Sequence, residues 1–299
     1  MKKTLLALAL MTGPLSAFAA KLPVVASFSI VADMTREVGG DRVDVVSLVG
    51  ADQDAHVYQP TPADVKRVAG AKVFVANGLG FEGWLSRLSR SAGFKGITVE
   101  AAKGVKPIEE HEEHGHGGHE GHDHGEINPH AWHDLLAAQR YVANIEAALE
   151  KADPAGRDYY RGRASAYTAK LKELDAWAIK SFSAIPAERR KVLTSHDAFP
   201  YLGKRYGIRF IAPQGVSTES EASAKGVAQI VREVKKQKVS AVFFENMADQ
   251  KLLGQLSREA GVKVVGKLYS DALSAPSGPA PSFVALFRYN ADTLLKALK

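Results

Sequence analysis

Short apolar runs alternate with amphipathic segments along the first half of the chain. The pattern predicts strands at 22–28, 43–49 and 72–76, and helices at 30–38, from Pro62 onward, and at 84–91. Strands that alternate with helices are typical of a parallel sheet with both faces covered. The first half therefore predicts an α/β unit.

The second half repeats this alternation after an amphipathic helix predicted at 133–151. Strands are predicted at 192–194, 208–212, 239–244 and 262–268, and helices at 199–206, 222–236, 250–260 and 282–298. Since the pattern restarts, we expect a second α/β unit rather than one continuous sheet.

Between the halves lies a much longer helical segment, predicted at 155–183. Its apolar or aromatic positions recur at spacings of four and three: Tyr160, Ala164, Tyr167, Leu171, Leu174 and Ala178. A helix of about 28 residues is about 42 Å long, enough to run from one lobe to another. We therefore expect an N-terminal lobe at 20–152, a linker helix at 153–185 and a C-terminal lobe at 186–299.

The first 19 residues are typical of a cleavable secretory signal peptide. Lys2 and Lys3 precede an apolar run at 5–11, and Ala17 and Ala19 frame a small-residue cleavage site. The run is too short to span a membrane, so we expect a soluble periplasmic protein.

The amino-acid composition excludes several kinds of site and partner. The chain has no cysteine, which excludes disulfides, thiolate metal ligands and a lipid-anchoring thiol. The formal charge of +6 is spread without a basic cluster, so nucleic-acid binding is not indicated.

Histidine is concentrated in one place. Of ten histidines, eight lie between residues 109 and 134. The histidine-rich segment, residues 109–125, contains only Glu, Asp, His and Gly, and we expect a mobile surface loop. Its six histidines predict a weak secondary metal site, with a solvated charged spacer as the alternative: His111, His114, His116, His119, His122 and His124.

Four further residues lie beyond predicted strands or at the start of a helix: His56, His130, His196 and Asp271. Ligands of open parallel sheets bind at the carboxyl ends of strands, so two residues from each half could meet in a cleft. Each position alone would also suit an ordinary hydrogen-bonded residue. His133 is left without an assigned role and is expected on a helix.

Four motifs carry a family resemblance: Asp54-Ala55-His56-Val57-Tyr58-Gln59-Pro60, Asn128-Pro129-His130-Ala131-Trp132, Ser195-His196-Asp197-Ala198-Phe199-Pro200-Tyr201-Leu202 and Tyr269-Ser270-Asp271. In this order they resemble the metal-specific substrate-binding proteins of ABC importers, cluster A-I, and especially the zinc-binding members. The resemblance implies two lobes joined by one long rigid helix, with a metal held in the cleft by His56, His130, His196 and Asp271. Asn128 departs from the commoner aspartate, and His133 matches no family ligand.

The resemblance also bears on the metal and the partners. Manganese-type members have glutamate where this chain has His196, and three imidazoles with one carboxylate suit four-coordinate Zn²⁺. The implied function is periplasmic capture of Zn²⁺, as transported ligand, for an ABC permease and its ATPase at the inner membrane. A periplasmic zinc chaperone is a further candidate partner, and a monomer is expected.

Three alternatives remain at this point. The first is a manganese importer component. The second is a zinc hydrolase, which is disfavoured because no H-E-x-x-H occurs and a fourth protein ligand closes the position of a catalytic water. The third is an adhesin or metal buffer that has no transporter.

Overall fold

The computed structural model describes residues 20–110, 126–219, 224–247 and 250–299. The predicted signal peptide and all six histidines of the histidine-rich segment lie outside these ranges.

The N-terminal lobe is a four-stranded parallel sheet covered by helices. Its elements are β1 (Leu22–Phe28), α1 (Ser29–Gly39), β2 (Val43–Val49), α2 (Pro62–Gly70), β3 (Val73–Ala76), α3 (Leu85–Ala92) and β4 (Ile97–Glu100). The strand order is β2-β1-β3-β4 with every neighbouring pair parallel. Strand β4 was not predicted, because its four residues alternate between half-buried and exposed and lack an apolar run.

A short antiparallel hairpin and a helix complete this lobe: β5 (Ile108–Glu110), β6 (Glu126–Asn128) and α4 (Leu135–Ala152). The expectation of a loop from residue 109 is wrong at its start, because Glu109 and Glu110 belong to β5. The helix predicted from residue 133 begins later. Residues 131–133 form a 3₁₀ turn, and the Asp134 side chain caps α4 by accepting from the Leu136 N–H.

The linker helix α5 (Arg157–Ser183) is one helix of 27 residues, as its apolar stripe predicts. It contacts α1 and α4 of the first lobe and elements of the second lobe. All six predicted stripe positions are buried, and Asp175 and Phe182 join them. Asp175 accepts hydrogen bonds from Arg205 and from the Tyr206 hydroxyl, which ties α5 to the second lobe.

The C-terminal lobe is a second parallel sheet. Its elements are β7 (Lys191–Leu193), α6 (Pro200–Tyr206), β8 (Arg209–Ile211), α7 (Ala224–Gln237), β9 (Ala241–Glu245), α8 (Gln250–Ala260), β10 (Val264–Leu268) and α9 (Phe283–Leu298). The strand order is β10-β9-β7-β8, again parallel throughout. The two α/β lobes with a long connecting helix confirm the predicted architecture.

One apolar core runs through both lobes. It includes Val75 of the first sheet, Leu171 of α5, Leu202 of α6 and Leu286 of α9. A smaller cluster lies between the second sheet and α7 and α8. Because the main core is continuous, separating the lobes would expose apolar surface, which opposes a wide hinge motion. No helix of the described chain is both long enough and apolar enough to cross a membrane.

Leu171→Ala is expected to lower the free energy of unfolding by about 2–5 kcal/mol, because it leaves a cavity between the lobes. Leu171 is fully buried, whereas the neighbouring Lys172 is exposed. Lys172→Ala is the matched control and should change stability by less than about 0.5 kcal/mol. Denaturant unfolding of both variants measures the free energy of unfolding. Equal decreases in the two variants would contradict the burial of Leu171 on α5.

Candidate metal centre

The structure brings together four side chains that are up to 215 residues apart in sequence, since 271 − 56 = 215: His56, His130, His196 and Asp271. His56 lies in the loop after β2, His196 follows β7, and Asp271 follows β10. His130 lies between β6 and the 3₁₀ turn that precedes α4. Because carboxyl ends of parallel strands lie at one edge of each sheet, the two lobes meet with these edges facing each other.

The donor atoms are close and buried. The Nε2 atom of His130 lies 3.3 Å from the Nε2 atoms of both His56 and His196. The Asp271 carboxylate lies 3.4 Å from His56, 3.4 Å from His130 and 3.1 Å from His196. All four ligand atoms lie within 4.8 Å of one another. At these distances the four side chains could bind one metal ion together.

The spacing matches a small tetrahedral ion. Zinc–nitrogen bonds of about 2.0–2.1 Å place neighbouring tetrahedral ligands about 3.3 Å apart. Both Asp271 oxygens are buried, and imidazole nitrogens are their only close polar neighbours in the described chain. A buried carboxylate is costly unless a positive charge balances it. The donor set therefore fits a divalent metal.

Asp54 positions His56 and links the lobes. One carboxylate oxygen accepts from the backbone N–H of His56 at 2.9 Å. The other accepts from the hydroxyl of Thr218, in the second lobe, at 2.7 Å. The loop that carries His56 is therefore held from both sides of the cleft.

Asn128 orients His130, a role that sequence reasoning did not assign. Its Oδ1 accepts from the His130 backbone N–H at 3.1 Å and lies 2.9 Å from His130 Nδ1. A proton on Nδ1 leaves the Nε2 lone pair free for a metal. The Asn128 amide N–H also donates to the carbonyl of Asp197, across the cleft, at 2.7 Å. An amide makes both contacts, whereas a carboxylate has no proton to donate to a carbonyl.

Glu245 plays the matching role for His196. Its Oε2 lies 2.6 Å from His196 Nδ1, while Oε1 accepts from the backbone N–H groups of Ser195 and His196 at 2.7 and 3.0 Å. A carboxylate behind a ligating histidine fixes its tautomer and raises its basicity. The available signal was a glutamate at the end of the otherwise apolar strand β9.

The electrostatics divide the histidines into two kinds. Burial would lower the pKa of His196, but the charges of Glu245 and Asp271 outweigh it and raise this pKa well above its ordinary value. Burial lowers the pKa of His130 to about 4. Burial would raise the pKa of Asp271, but His196 and His130 hold it well below its ordinary value. Without metal, the centre therefore contains a carboxylate beside a protonated His196.

His133 is buried but does not join the centre. It lies on a helix as expected, but on the 3₁₀ helix of residues 131–133 that precedes α4. Its ring packs between Trp132 and Phe199, with centroids 5.5 and 4.7 Å away. Burial lowers its pKa to about 3, so the ring is neutral at physiological pH.

Aromatic rings form the first-lobe wall of the centre. Phe81 contacts the rings of His56 and His130 at 4.7 and 5.8 Å. Trp132 lies 5.2 Å from His130 and is backed by Phe28. These rings are buried and exclude water, which strengthens electrostatic interactions in the centre.

Asn128→Asp is expected to destabilise the metal-free protein by about 1–3 kcal/mol at neutral pH, because the amide donor is lost and a carboxylate faces the Asp197 carbonyl. The loss should shrink at acidic pH, where a protonated carboxyl can donate again. Thermal unfolding at pH 7.5 and at about pH 4.5, each compared with wild type, measures the difference. Equal stability of the two proteins at neutral pH would show that the interlobe bond contributes nothing.

Comparisons with known proteins agree with this geometry. The sequence profile of ZnuA, described as zinc-uptake complex component A, periplasmic, matches residues 24–297. The manganese-binding lipoprotein MntA of Halalkalibacterium halodurans is 30% identical over 277 residues, which cover 93% of this chain and 88% of that protein. The iron-binding protein YfeA of Yersinia pestis is 33% identical over 279 residues, covering 93% and 86%.

A solved structure has the same fold. The periplasmic zinc-binding protein TroA from Treponema pallidum superposes with a TM-score of 0.85 at 27% identity, covering 93% of this chain and 99% of that one. Proteins of this kind are the substrate-binding components of ABC importers, work with a permease and an ATPase, and are not enzymes. A match over nearly the whole chain, together with a buried four-residue centre between two lobes, places this protein in the ZnuA family of metal-binding substrate-binding proteins.

Proposed function

We propose that this protein captures Zn²⁺ in the periplasm and delivers it to an ABC importer in the inner membrane. His56, His130, His196 and Asp271 are its four ligands. The observation that carries this proposal is the convergence of three imidazoles and one carboxylate, at separations of 3.1–3.4 Å, in the buried interlobe cleft. We also propose the lobe boundaries at 20–152 and 186–299, with 153–185 between them.

The donor set favours zinc over manganese. Imidazole suits Zn²⁺, whereas Mn²⁺ prefers a larger number of oxygen ligands. Asp271 is the only carboxylate among the four residues. Glu245 is close by, but it contacts Nδ1 of His196, the ring nitrogen that faces away from the proposed metal position. Manganese or iron is the alternative cargo, since relatives are named for these metals.

The histidine-rich segment serves as a second, weaker binder in this proposal. Six imidazoles and six carboxylates in 17 residues offer many ligands, but ordering a glycine-containing segment around an ion costs backbone entropy. The segment's role in this proposal is to capture zinc or to transfer it to the tight site. A zinc chaperone as partner and a monomeric state remain predictions from the sequence alone.

The hydrolase alternative has no support. A catalytic zinc keeps a coordination position open for water, whereas four buried side chains converge here and aromatic rings form one wall.

A zinc titration tests the proposal directly. Wild type should bind one ion tightly and further ions weakly, and a variant that lacks residues 111–125 should keep the tight site alone. His196→Ala should lose most of the affinity, by about 100-fold or more, because a ligand is removed and two buried carboxylates lose their partner. Competition with Mn²⁺ in the same titration decides the metal. Tight binding that survives His196→Ala would refute the assigned centre.

Zinc binding should release about one proton per ion at pH 7, because Zn²⁺ must displace the proton that His196 holds. Because the pKa of His196 is raised, zinc affinity should fall as the solution pH drops below that pKa. His130, with a pKa of about 4, should contribute only in more acidic solution. Calorimetry in two buffers of different ionisation enthalpy counts the protons, and a count of zero at pH 7 would contradict a protonated His196.

A further inference from the structure

The four residues of the centre are not equally enclosed. His130, His196 and Asp271 have no exposed surface, whereas His56 is 7% exposed. Phe81 and Trp132 close the centre from the first lobe, and Glu245 lies behind His196 in the second. Within the described chain, His56 is therefore the one ligand that solvent reaches.

The exposed edge of His56 opens into a cavity of about 460 Å³ at the boundary between the lobes. Three segments line it: the turn after β3, with Gly80 and Gly83; the segment after β6, with Pro129; and the loop after β8, with Glu219. A cavity of this size admits several waters and a hydrated cation. Phe81, a member of the main apolar core, forms part of its wall.

Two features of the lining suit passage of a cation. A side-chain carbon added at Gly80 or at Gly83 would meet no atom within 4 Å, so both positions leave the cavity open. Glu219 is exposed on the second-lobe side, where its backbone N–H donates to the Ser217 hydroxyl. Its carboxylate attracts cations toward the opening.

We propose that this cavity is the route by which the metal reaches and leaves the centre, with His56 as the first ligand met on the way in and the last one released. The proposal rests on the proposed function, because it concerns the path to the same centre. It adds two residues that affect rates without being ligands. Gly83 keeps the route open, and Glu219 attracts the ion to it.

Gly83→Phe should obstruct the route. Its backbone is not in the left-handed region, the residue is exposed, and a Cβ added there meets no atom within 4 Å, so the fold should tolerate the substitution. Stopped-flow mixing with Zn²⁺ should show association about tenfold slower, and chelator competition should show dissociation slowed by the same factor. The equilibrium Kd should stay within about twofold, because both rates change together. Gly83→Ala and Gly162→Phe, the latter at an open position of α5, should keep wild-type rates.

Glu219→Lys tests the same route without adding bulk to it. Association should slow several-fold at low ionic strength and recover at high salt, since the effect is long-range and screened. Glu173→Lys, an exposed charge reversal on α5, should have no such effect. Wild-type rates in both Gly83→Phe and Glu219→Lys would overturn the route, as would a change in Kd alone. Failure of the proposed function is seen separately, as absence of a tight site in wild type.

Discussion

Asp271 is a buried carboxylate surrounded by imidazoles, and the rest of the structure is arranged around that charge. It has no exposed surface, and a carboxylate in such a place needs a cation or strong donors. Without metal, the protonated His196 supplies part of the balance, and with metal the ion supplies it. Metal binding therefore exchanges one proton for a divalent ion, which raises the net charge of the buried centre by about one unit.

Metal binding at this centre requires that the ligands contributed by the two lobes keep their positions relative to one another. The linker helix α5 and the continuous core hold the lobes together over a large area. Smaller polar contacts across the cleft, from Asp54 to Thr218 and from Asn128 to Asp197, set the local positions of two ligand-bearing segments. Large-scale rigidity and local alignment thus come from different interactions.

The sequence predicted the parts of this arrangement that depend on pattern. Strand periodicity and the stripe on α5 were enough to predict two lobes, and the scarcity of histidine outside one segment singled out His56, His130 and His196. Asp271 joined the predicted ligands through the family resemblance. The sequence did not predict the roles of Asn128 and Glu245, because each depends on a contact with a residue brought near only by folding. Strand β4 was missed because an alternation over only four residues is too short to stand out, and the start of α4 was placed too early because the 3₁₀ turn at 131–133 precedes it.

The hairpin of β5 and β6 holds the two ends of the histidine-rich segment. Backbone pairing of Glu110 with Glu126 fixes the two ends of the intervening chain side by side. The entropy of closing such a loop grows only slowly with its length. A change in the number of residues between these two paired ends should therefore cost little stability in the rest of the N-terminal lobe.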